Sequence, residues 1–151
     1  MSPLDEELLA LRDALARDLR RLVADAPAAV PEDLRLKGII GRMGPLLAAQ
    51  APNVDALARL DVLAPIDGPD GPEAQERFLE TLVRALHVPR MVMAMGEVLR
   101  QDARSDVLRP FQQRAAEAAA RAQHLARLWH LRVAGQGAGP LDDDEEDDVE
   151  L

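Results

Sequence analysis

The sequence predicts an all-α protein, a helical bundle of four main helices plus one or two short ones. Three observations carry that expectation. Leu4, Leu8, Leu11, Leu15, Leu19 and Leu22 recur every third or fourth residue, which puts apolar side chains on one face of a helix. Phe111, Ala115, Ala118, Ala122, Leu125 and Trp129 recur in the same way along the last long segment, a heptad-like seam made mostly of alanine. Finally, Phe78, Phe111 and Trp129 are the only aromatic residues, and no pair of alternating segments is joined by hairpin chemistry, so strands have little to build on.

The first helix is expected from Pro3 to Asp25. Ser2 is placed to cap it, and Pro3 falls in the first turn, where a missing N–H costs nothing. Asp5, Glu6 and Glu7 sit at the positive end of the helix dipole, and Arg17, Arg20 and Arg21 near the negative end. Ala26-Pro27 is expected to stop it, with a linker to Pro31. Residues 31–50 read as a second helix weakened by Gly38, Gly41 and Gly44. Each glycine costs about 1 kcal/mol relative to alanine, so a break is expected near Gly44, with Pro45 starting a further turn. A short third helix, 53–63, has Asn53 as its expected cap, and APIDGPDGP at 64–72 is a turn-rich loop.

Pro72 opens the fourth helix, 72–87, whose apolar face holds Phe78, Leu79, Leu82, Val83 and Leu86. Glu73 with Arg77, and Glu80 with Arg84, are spaced for i,i+4 pairs. Pro89 interrupts the chain before a fifth helix that reaches about Arg104 and buries Met91, Val92, Met95, Val98 and Leu99. Ser105 or Asp106 caps the last and longest helix, to about Ala134. A helical domain over 1–134 is thus followed, at 135–151, by the flexible linker GQGAGP and an acidic tail too poor in apolar surface to order itself.

Composition excludes several function classes. The absence of cysteine removes disulfides, thiolate zinc sites, iron–sulfur ligation and thiol nucleophiles. MSPLDEELLALRD has neither a basic leader region nor a continuous apolar run, so no secretory signal is expected. No window approaches the roughly 18 apolar residues of a membrane span, and the cytoplasm is the expected compartment. The excess of alanine and arginine, with Lys37 the only lysine, fits a GC-rich bacterial genome. The poverty in aromatics argues against a base-stacking nucleic-acid platform.

The net charge of −9 is unevenly placed. Asp142, Asp143, Asp144, Glu145, Glu146, Asp147, Asp148 and Glu150 are eight of the 27 acids, leaving 19 against 18 bases in the body. The acidity belongs to the tail.

Few residues point to chemistry. His87 is expected at the end of the fourth helix, and His124 and His130, six apart, fall on different faces of the last. No Glu-x-x-His occurs, so a di-iron bundle lacks its ligands, and Glu117 is spaced to pair with Arg121. Met91, Met93 and Met95 near His87 offer soft ligands for copper(I), but Met91 and Met95 share a face that core packing explains. Asp67-Gly68-Pro69-Asp70-Gly71 lacks the alternating ligands and terminal glutamate of a calcium loop. Ser2 and Ser105 suit caps, and Thr81 lies within a helix, so no nucleophile stands out. No metal and no cofactor are expected.

Ile39-Ile40-Gly41-Arg42-Met43-Gly44 resembles the I-I-G-x-x-G signature of KH domains, and Val30-Pro31 and Gly71-Pro72-Glu73-Ala74 echo the same family. The resemblance implies a GxxG loop lying along a nucleic-acid backbone, with Lys37, Gly41, Arg42 and Gly44 as its binding residues. The sequence departs from the family in that residues 45–63 read as helical where strands are needed, and Pro45 follows the motif directly.

The leading expectation is a non-enzymatic protein–protein interaction module: an adaptor, chaperone-like or regulatory factor. The tail residues Asp142, Asp143, Asp144, Glu145, Glu146, Asp147 and Asp148 would meet a basic partner. The alternatives are a nucleic-acid-binding module using segment 38–44 and a bundle that binds a ligand or metal through the Met/His region 87–95. The alanine seam and the leucine stripe are the expected surfaces for a homodimer.

Overall fold

A computed structural model describes residues 1–35, 38–100 and 105–138. Six α-helices occur among them: α1 Pro3–Ala29, α2 Gly38–Ala48, α3 Ala51–Ala58, α4 Gly71–Ala85, α5 His87–Leu99 and α6 Arg109–Ala138. Single 3₁₀ turns at Glu32–Leu34 and Ser105–Leu108 precede α2 and α6. There is no strand among the described residues. The chain is therefore an all-α bundle, with α1, α4, α5 and α6 as its long helices and α2 and α3 as its short ones.

The bundle is organised around α1 and α6, which are antiparallel. Asp18 of α1 pairs with Arg121 of α6, and Glu7, earlier on α1, lies 3.5 Å from His124, later on α6. α5 packs on α6 and on α2, and α3 bridges α1 and α4. Of the predicted stripe of α1, Leu4 and Leu11 are half-buried, and Leu8, Leu15, Leu19 and Leu22 are buried. They meet Ala115, Ala118, Ala122 and Leu125 of α6 in one core shared with Phe78, Val92 and Met95. Each buried leucine contributes about 1.5–3 kcal/mol relative to exposure. The small alanines bring the α6 backbone close to its neighbours.

Ser2 caps α1 as expected. Its Oγ accepts from the Asp5 N–H at 3.1 Å, and its own N–H donates to the Asp5 carboxylate at 3.2 Å, a reciprocal capping box. The end of α1 differs from expectation: the helix runs through Pro27 to Ala29. Proline deletes one hydrogen bond, but here it stands one turn from the end, where buried Ala26 and Val30 hold the backbone on the core.

The expected break at Gly44 is absent, and α2 continues through Gly41, Gly44 and Pro45. Tertiary packing decides the outcome, because Ile40 and Leu47 are both buried and need one continuous face. Gly38, with φ at 52°, provides the left-handed entry. α3 begins at Ala51 with Gln50 as its cap, and Asn53 lies inside it, donating to Gln50 Oε1 at 2.8 Å.

α4 and α5 almost touch in sequence, since Leu86 closes one and opens the other. Pro89 is tolerated in the first turn of α5, and His87 opens that helix instead of ending α4. α5 stops at Leu99, whereas Arg104 lies outside the described residues. Three residues expected to be buried are partly outside the core: Leu79 and Val83 of α4 and Val98 of α5 are exposed. α6 reaches Ala138, four residues past the expected end at Ala134 and through Gly135 and Gly137. Lys37 and the whole acidic run, Asp142 to Glu150, lie outside the described residues.

Candidate functional site

The surfaces expected for self-association are occupied within the chain. Ala115, Ala118, Ala122, Leu125 and Trp129 are at most 3% exposed, and so are Leu8, Leu15, Leu19 and Leu22. A homodimer through the alanine seam or the leucine stripe would have to unpack the bundle. Trp129 is held by Phe78, whose ring stacks on the indole with centroids 4.1 Å apart.

Uncovered apolar side chains lie on α6 at Leu131, 61% exposed, on α4 at Leu79 and Val83, and as a pair on α2. Ile39 is 60% exposed and Leu46 56%, although α2 also buries Ile40 and Leu47. Ile39 and Leu46 are seven residues apart, two turns, and share one face, with half-buried Met43 beside them. Arg42 lies between them along the helix and makes no ion pair among the described residues.

On the other flank, Gly41, Gly44 and Pro45 form one wall of an apolar groove of about 370 Å³, with Pro27 and Val30 of the α1 end opposite. Gly44 comes within van der Waals contact of Pro27, at 3.8 Å for a side-chain carbon built on it. Arg35 borders this groove. It donates to the carbonyls of Val30 at 2.9 Å and Ala28 at 2.7 Å, satisfying acceptors left open where α1 ends.

The charge of this region is of one sign, as it also is along 118–141, which holds Arg121, Arg127 and Arg132 and no acid. From Leu34 to Val54 the sequence holds Arg35, Lys37 and Arg42 and no acid at all. By contrast, the exposed Leu79 and Val83 on α4 sit among Glu76, Glu80 and Arg84, and the ion pairs Glu73–Arg77 (2.9 Å) and Glu80–Arg84 (2.6 Å) balance that helix. The groove between α1 and α6 alternates in sign: Asp18, Asp25 and Glu117 face Arg21, Arg114 and Arg121. α2 combines two exposed apolar side chains on one face with charge of one sign.

The residues singled out by the KH resemblance are brought together differently from what it implies. Gly41, Arg42 and Gly44 are consecutive parts of a helix, not a loop between helices, and the required strands are absent among the described residues. Gly41 and Gly44 instead line the groove against Pro27 and Val30 at the end of α1.

The histidines are dispersed. His124 lies near Glu7, and His130 meets the edge of Trp129, centroids 5.8 Å apart. Met95 is buried, Met91 half-buried and Met93 exposed, as the helical spacing predicts. Among the described residues no group of three His, Asp or Glu could hold a metal ion, and no helix is long and apolar enough to cross a membrane.

Two arginines that sequence reasoning missed are structural. Arg12 donates to the Leu60 carbonyl at 2.9 Å, and Arg132, buried to 6% exposure, donates to that of Ala64 at 2.5 Å. The Nη1 of Arg132 has no partner among the described residues. Both tie the segment after α3 to the long helices. Their partners are 48 and 68 residues away, so no local pattern announces them.

Comparison of the chain with protein-family models, with curated proteins and with solved structures finds no match.

Proposed function

We propose that this chain is a non-enzymatic protein–protein interaction module with two recognition elements of opposite charge. One is the face of α2 formed by Ile39, Met43 and Leu46 with Arg42, which suits a partner segment carrying both acidic and apolar side chains. The other is the acidic run Asp142–Asp148, which suits a basic partner. The observation that carries the reading is the exposure of Ile39 and Leu46 on one face of a helix that has no acid. Exposed apolar area beside single-sign charge supplies affinity through burial and orientation through complementarity.

The test uses defined probes. Fluorescence anisotropy compares a labelled acidic peptide bearing leucines, an arginine-rich peptide and single-stranded RNA, each titrated with the full chain. The acidic peptide is expected to bind, to weaken as salt rises, and to lose about tenfold in affinity with Leu46→Ser or Arg42→Glu. The arginine-rich peptide is expected to bind a chain whose Asp142–Asp148 are intact. Binding of RNA alone, abolished by Arg42→Glu, would replace this reading with the nucleic-acid one.

A further inference from the structure

The two recognition elements complement each other, and the geometry decides whether they can meet within one molecule. α2 sits at the far end of α1, where Gly44 and Pro27 line one groove. Because α6 is antiparallel to α1, with Arg121 level with the region of Asp18 and His124 with that of Glu7, Ala138 lies beyond the opposite end, near Pro3. At 1.5 Å per residue, the axial distance from the level of Pro27 to that of Ala138 is roughly 45 Å.

The acidic run must cover that distance from Ala138. A fully extended chain advances about 3.4 Å per residue, so Asp142 reaches at most roughly 14 Å and Glu146, the middle of the run, roughly 27 Å. Only the last acid, Glu150, approaches the required length, and only with every intervening residue straight. The run therefore cannot lie along α2 of its own molecule. In a second molecule placed antiparallel to the first, each α2 comes beside the other's Ala138, and the constraint disappears.

Resting on the interaction-module reading, we infer that the α2 face is the docking site for segment 141–151 of a second copy of this chain. The chemistry of the two matches in kind, apolar and acidic side chains against apolar and basic ones. Leu141, Val149 and Leu151 flank the acids and supply apolar side chains for Ile39, Met43 and Leu46. The eight acids meet a helix whose own charge is Arg42, next to Arg35, with no acid between Asp33 and Asp55 to repel them. The exchange is reciprocal, so two contacts close an antiparallel pair, and each contact tethers the partners for the other. The alanine seam takes no part in it, being buried in each copy.

Sedimentation velocity on the full chain over a micromolar range, at low and moderate salt, tests the inference. Two variants accompany it: Ile39→Ser with Leu46→Ser, and a chain with Asp142–Asp148 changed to their amides. Circular dichroism melting checks that both fold. The wild-type chain is expected to associate at low salt and dissociate as salt rises. Either variant alone is expected to weaken association by at least about tenfold, and mixing the two should restore a pair held by one α2 face and one acidic run.

Three results would overturn the inference, and they bear differently on the reading beneath it. Association that survives the amide changes but not the α2 changes means that α2 pairs with something other than the acidic segment. A monomer at every concentration, whose α2 still binds the leucine-bearing acidic peptide, assigns the face to a different protein and leaves the interaction module standing. A monomer that binds neither peptide removes both.

Discussion

The seam of α6 and the face of α2 make an instructive pair. Both are stripes that sequence periodicity can see, and both invite a partner. The α6 stripe, Ala115 to Trp129, is covered by α1, α4 and α5 of the same chain. The α2 stripe, Ile39 and Leu46, is left more than half exposed among the described residues. The stronger periodic signal thus belongs to the core, and the weaker one, broken up by glycine and proline, is left on the surface. Periodicity shows that a face must be covered; only the arrangement of the other helices shows whether the chain covers it itself.

The largest expected effect is at the anchor of the covered stripe. Trp129→Ala removes a buried indole stacked on Phe78 and should cost about 3–5 kcal/mol of unfolding free energy, measured by urea denaturation. A smaller loss would mean that the seam is not packed as described. Overpacking the same stripe comes next. Ala118→Leu should destabilise by about 1–3 kcal/mol, because Ala118 is buried against close neighbours. Were the seam an unused surface, the change would be neutral, so the substitution separates a core alanine from an interface alanine.

On the other region the expected signs reverse. Gly44→Ala should stabilise by up to about 1 kcal/mol, since α2 is continuous there and a side-chain carbon would only touch Pro27. A break at Gly44, as local propensity suggests, would instead make alanine costly. The smallest effect belongs to the exposed face itself. Ile39→Ser with Leu46→Ser should alter monomer stability by only about 0.5 kcal/mol per site, read at concentrations where the chain is dilute. A large loss would show that the face is structural.

How far the sequence carried these conclusions depends on whether the deciding interaction is local. The capping box of Ser2 and Asp5, the i,i+4 pairs of α4 and the buried faces of α1 and α6 are set by neighbours a turn or two away, and all were readable. The run of α1 through Pro27 and of α2 through Gly44 was not, because the packing of Ile40 and Leu47 outweighs local propensity. Arg121 was spaced for Glu117, yet it meets Asp18, 103 residues away. Within the candidate site, Arg42 and the glycines drew attention for a loop they do not form. The exposure of Ile39 and Leu46 has no local signal, because exposure is a property of the fold.

The chain has no cysteine, which makes one measurement especially direct. One preparation carries Leu46→Cys, a second of different mass carries Val149→Cys, and the mixture is treated at low salt with a short bis-maleimide. A dominant product joining Leu46→Cys of one copy to Val149→Cys of the other is expected, lost at high salt and absent when Ala118→Cys replaces Leu46→Cys. Products joining Leu46→Cys only to itself, or no product between copies, would contradict it.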